Sequence, residues 1–121
     1  MKREEQDALL VEWQTRLGLH DWRIKFYPNC KPDEMSLEEA AGVSTYQEVN
    51  KTATIEIMDP KYSDDSVEAM DWEQVLVHEL LHLKLCLIAD KTDAMTERVG
   101  HILIDDLARA FVDAKRSGKK K

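Results

Sequence analysis

The run from Val75 to Ala89 constrains this chain most, because it is apolar nearly all round and yet contains His78, Glu79 and His82. A helix without a polar face belongs inside a protein. Polar side chains carried in with it need partners there, since burying one unpaired costs roughly 2–7 kcal/mol. The rest of the chain must therefore cover the helix and also satisfy its histidines. With 121 residues, 43% of them apolar, one domain with a small core is the expectation, spanning residues 1–115.

The chain before that run reads as helix, strand and hairpin. Leu9, Leu10, Trp13 and Leu17 recur at helical spacing over residues 4–17, and Gly18 suits the position just past a helix end. Trp22, Ile24 and Phe26 alternate with Arg23 and Lys25, which marks a half-buried strand over 21–27, closed by Pro28. Residues 28–41 form the longest expected loop, with a short helical turn over 37–41. Strands are expected over 42–48 and 52–58, turned at Asn50-Lys51 and closed by Asp59-Pro60. The buried helix can start at Ser63 to Ser66, or at Asp71 with Gln74 three residues on.

A last helix runs from about Ala94 to Lys115. Val99, Leu103, Leu107, Ala110, Phe111 and Ala114 share its broad apolar face, with Arg98, Asp106, Arg109 and Asp113 opposite. Glu97 aligns with Ile104 and Ala108 at the edge of the apolar stripe. His101 lies one turn on, nearer the boundary, and Asp105 further out. The basic ending at 116–121 reads as a disordered tail.

Charge and composition exclude several classes. A net charge of −7 argues against broad nucleic-acid binding, which relies on Lys and Arg to neutralise phosphates. Met1-Lys2-Arg3 is followed by acids rather than by an apolar segment, so no secretory leader is expected. No window approaches the roughly 18 apolar residues of a membrane span. Cys30 and Cys86 read as two reduced thiols of a cytoplasmic protein. His20, in the turn before the first strand, reads as a surface histidine.

His78, Glu79 and His82 follow the pattern His-Glu-x-x-His. Positions four apart share one helix face, so both imidazoles can close on one metal ion with Glu79 beside it. Two imidazole ligands and a carboxylate that takes a proton from water are what a zinc hydrolase needs. No cysteine stands at zinc-finger spacing, and Cys86 reads as core. A third ligand must come from elsewhere, and the last helix offers Glu97 and His101. Glu97 is the first choice, since its inward position would be costly for an unpaired carboxylate. His101 is then a supporting group, a transition-state donor, or itself the ligand.

The run Leu76-Val77-His78-Glu79-Leu80-Leu81-His82-Leu83, with a Glu on the next helix, resembles the gluzincin metallopeptidases. The short length is similar to the minigluzincins and to small predicted metallopeptidases of phages and archaea. The specific match covers His78 to Glu97. The resemblance implies zinc on His78, His82 and Glu97, with Glu79 as general base and acid. Larger gluzincins often place an Asp four residues after the glutamate ligand to orient a metal histidine; here that position is His101.

The expected architecture is α+β, a small twisted sheet of about three strands packed on the central helix, with a helix at each end of the chain. The expected reaction is zinc-dependent hydrolysis of a peptide or similar amide. Glu79 moves the proton, and His101 or Tyr46 assists at the oxyanion. An exposed strand edge would align a peptide or protein substrate. The alternatives are a zinc-stabilised regulatory or phage-type interaction protein with a silent site, and a metal-free helical binding module.

Overall fold

Asp71 starts the buried helix. Its carboxylate accepts from the Gln74 amide at 3.1 Å, and its carbonyl accepts from the Val75 amide at 3.0 Å. This cap opens α2, Trp72–Ala89, three residues ahead of the apolar run. The alternative start lies largely outside the described residues, which in this computed structural model are 1–37, 40–63, 70–89 and 94–119. Side chains at 87–89, 94–97 and 119 are likewise not described.

Around α2 stand α1 (Arg3–Arg16), β1 (Arg23–Cys30), β2 (Gly42–Gln47), β3 (Thr52–Met58) and α3 (Ala94–Lys119). The fold is α+β, as expected, with three α-helices and an open three-stranded mixed sheet among the described residues. Strand order is β1-β3-β2. β2 and β3 form the antiparallel hairpin, turned through Lys51 at φ 54°. β1 runs parallel to β3, with Phe26 opposite Ile55. Ala53, Ile55 and Ile57 share one core with Leu76, Val77, Leu80 and Leu83 of α2. Trp13 adds to that core from α1, and Gly18 follows the helix at φ 69°, as its place past the helix end requires.

Three expectations change. β1 does not stop at Pro28 but continues to Cys30, with the ladder slipping between Tyr27 and Cys30. Proline lacks the N–H that regular pairing needs, and an edge strand tolerates the slip. A helical turn lies at Pro32–Glu34, where none is expected; the turn expected over 37–41 falls partly outside the described residues. The basic ending is helical as far as Lys119.

A larger change concerns α3. The face set against the core carries Ile104, Ala108, Val112 and Lys115, all buried. Val99, Leu103, Leu107 and Phe111, expected to form the packed face, are exposed. Polar anchors decide the rotation. Lys115 Nζ lies 2.5 Å from Glu73 and 3.1 Å from Glu12, and Trp13 donates to the same Glu73 at 2.7 Å. Arg116 grips Asp71 at 2.6 and 3.0 Å. Turning the other stripe inward would part the buried Lys115 and Glu73, at a cost of several kcal/mol, and break the more exposed Arg116–Asp71 pair. Both cysteines are buried and unbridged. Among the described residues, no helix is long and apolar enough to cross a membrane.

Candidate metal centre

The same anchors align α3 antiparallel along α2. Lys115 and Arg116 meet Glu73 and Asp71 at one end, which brings Asp105 and His101 to His78 and His82 further along. One ligand atom from each of His78, His82 and His101 lies within 4.8 Å of the others. His78 and His82 face each other through their Nε2 atoms, 3.3 Å apart. The Nδ1 of His78 turns the other way, 3.4 Å from Asp105 Oδ1. That contact favours a proton on Nδ1, which leaves the Nε2 lone pair directed into the cluster. Arg109, one turn further on α3, lies 3.6 Å from the second Asp105 oxygen.

The donor set and its spacing suit zinc. In a tetrahedral site with zinc–nitrogen bonds of about 2.0–2.1 Å, two ligand nitrogens stand about 3.3 Å apart. Burial also favours the neutral form that ligation needs at His78 and His82. It holds His82 down to about 4, with His78 and His101 adding to the effect. Burial lowers His78 too, against the opposing pull of the Asp105 carboxylate.

Glu79 lies beside this cluster, 6% exposed. Burial pushes its carboxyl up to about 7, and a hydrogen bond from Ser44 of β2 works against that rise. β2 approaches α2 closely here: a Cβ on Gly42 would fall 2.7 Å from Val75 Cγ1 and 2.9 Å from Glu79 Oε2. A cavity of about 240 Å³ opens at this contact, lined by Ala41, Gly42, Gln74, Val75, His78, Glu79 and Asp105. β2 is also an edge of the sheet. The Met58 amide donates to the Ala41 carbonyl, so the alternation of antiparallel pairing turns the backbone of Gly42, Ser44 and Tyr46 away from β3.

Of the residues singled out in the sequence, His78, Glu79, His82 and His101 come together. Glu97 lies on α3 one turn before His101; its side chain lies outside the described residues. Tyr46 packs edge-to-face on Trp22, 6.4 Å between ring centroids, and does not line the cavity. His20 is exposed and apart from the cluster. Asp105 was not singled out. Its signal was the spacing of four from His101, the same spacing that the gluzincin comparison applied one turn earlier, from Glu97. No protein-family description, curated protein or solved structure matches the chain.

Proposed function

We propose that this chain is a zinc-dependent hydrolase acting on peptide or similar amide bonds, with His78, His82 and His101 as zinc ligands and Asp105 orienting His78. The convergence of three imidazoles within 4.8 Å, next to a buried carboxylate one residue from the first of them, carries the reading. The reading takes His101 in place of Glu97 as the third ligand, which makes Asp105, four residues on, the supporting aspartate. Zinc held there would supply Lewis acidity toward water and the scissile carbonyl.

The protein's own groups do the rest. Glu79, raised toward neutral pH by burial, takes the proton of the attacking water and returns it to the leaving amine. Ser44 holds the Glu79 carboxylate from β2, and Gly42 leaves the space that carboxylate occupies. The outward backbone of β2 offers hydrogen bonds to an extended substrate strand lying along the cavity.

Hydrolysis of a mixture of extended peptides, followed by mass spectrometry, tests the reading. Cleavage by the zinc-loaded protein is expected, with loss of at least about 100-fold in Glu79→Gln and no loss of zinc. A zinc-loaded protein that cleaves nothing, or cleaves equally well as Glu79→Gln, would leave the zinc-stabilised interaction protein as the better account.

A further inference from the structure

Gln74 lines the cavity beside the histidine cluster and takes no part in holding the metal. It stands one turn before His78 on the same face of α2, where residues four apart have Cβ atoms about 5–6 Å from each other. It is also the third residue after the Asp71 cap. A glutamine there ordinarily reaches back to the cap's own backbone N–H and completes a capping box. Only half of that box forms. The Gln74 backbone N–H donates to Asp71 Oδ1 at 3.1 Å, but the Gln74 side chain makes no hydrogen bond to Asp71 or to any other group among the described residues. Its carboxamide is left to the cavity.

The other polar side chains around the cavity already have partners. Asp105 divides its oxygens between His78 Nδ1 at 3.4 Å and Arg109 at 3.6 Å. Glu79 accepts from Ser44. Ala41, Gly42 and Val75 complete the lining without a polar side chain. We propose that Gln74 is a specificity residue of the hydrolase described above, an inference that rests on that reading. Its carboxamide selects, at one substrate position beside the scissile bond, a short neutral side chain that both donates and accepts hydrogen bonds: Ser, Thr, Asn or Gln.

The chemistry of the lining makes the selection. A carboxamide presents an accepting oxygen and a donating NH2, and a hydroxyl or a second carboxamide meets both. An apolar side chain would leave Gln74 unpaired once water is displaced, which a site built to hydrogen-bond penalises. A carboxylate can only accept, and it would enter beside Glu79 and Asp105. A lysine or arginine would meet an Asp105 already shared with Arg109. With a volume of about 240 Å³, the cavity takes one side chain rather than a longer ligand. A substrate strand paired on the outward backbone of Gly42 delivers that side chain, since Gly42 lines the same cavity.

Cut-site profiling of a peptide mixture by mass spectrometry, on the zinc-loaded full chain and on Gln74→Met, tests the inference. Methionine keeps the length of glutamine and removes its hydrogen bonds. In the parent, Ser, Thr, Asn and Gln are expected to be enriched at one position next to the cut. In Gln74→Met that position alone should turn toward apolar residues. Two peptides that differ only by Asn or Leu at that position then give the magnitude. The parent should prefer Asn by at least about tenfold in kcat/KM, and the variant should lose that preference. Zinc content should be the same in both proteins. A Gln74→Met profile equal to the parent's would overturn the inference. So would an equal loss of cleavage for both peptides, which marks a structural role, or a parent that prefers Lys or Arg there, which places the selection on Asp105 and Glu79. A parent that cuts no peptide removes the hydrolase reading and this one with it. A parent that cuts with no dependence on Gln74 removes only this one.

Discussion

Glu79 and His82 pull the stability of the metal-free protein in opposite directions with pH. Glu79 has a folded value of about 7 against an ordinary 4.5, so the folded state holds a proton that the unfolded chain has released. Its contribution favours folding fully below pH 4.5 and is lost as pH rises through 7. Glu79→Gln should therefore match the parent near pH 4, gain on it between pH 4.5 and 7, and level off at up to about 3 kcal/mol above that. Urea denaturation across this range reads the difference, and a variant no more stable at pH 8 would contradict it. His82, held to about 4 from 6.5, has the opposite sign: its contribution is present above pH 6.5 and is lost as pH falls through 4. In the Glu79→Gln background, acidification across that window should destabilise the protein. Asp105→Asn should weaken zinc affinity about 10- to 100-fold, measured by competition with a chelating dye. At this scale the sequence made His78, Glu79 and His82 legible, since four-residue spacing on one helix is local geometry. The choice between Glu97 and His101, and the role of Asp105, depend on how α3 is rotated against α2, which no local spacing encodes.

That rotation belongs to the scale of elements. The apolar pattern of α3 is strongest on Val99, Leu103, Leu107 and Phe111, and amphipathicity alone assigns that face to the core. The structure instead buries the line through Ile104, Ala108 and Val112, because Lys115 on the same line closes on Glu73 and Glu12. Lys115→Met should cost about 1–3 kcal/mol, since it removes the cation on one Glu73 oxygen while Arg116 stays 3.3 Å from the other, read as a fall in chemical-denaturation midpoint. Little loss would mean that the charges do not set the rotation. The contact of β2 with α2 is as specific. Gly42→Ala introduces a methyl group against Val75 and Glu79, and should cost about 1–3 kcal/mol in stability. It should also lower peptide hydrolysis more than zinc binding, because it displaces Glu79 and not the histidines. Equal loss of both would place the damage in the fold. The cap at Asp71 was legible in advance as Asp-x-x-Gln. The reach of β1 past Pro28 was not, because a proline in a strand is tolerated only through an edge position that tertiary structure decides.

For the molecule as a whole, the helix–strand–hairpin–helix–helix order and the α+β class follow from periodicity and turn residues. The insertion of β3 between β1 and β2 does not, since parallel pairing joins residues about thirty apart without a local signature. This topology makes β2 an edge and lays it against the start of α2, so that one small domain brings a histidine cluster, a buried carboxylate and an open strand edge together. The proposed function hinges on a metal, which His78, His82 and His101 are close enough to share. Zinc content of protein purified without added metal, compared for the parent, His101→Ala and Glu97→Gln, tests that claim most directly. The account predicts about one equivalent in the parent and in Glu97→Gln, and loss of stable binding in His101→Ala. No zinc in the parent, or zinc lost from Glu97→Gln and kept in His101→Ala, would contradict it.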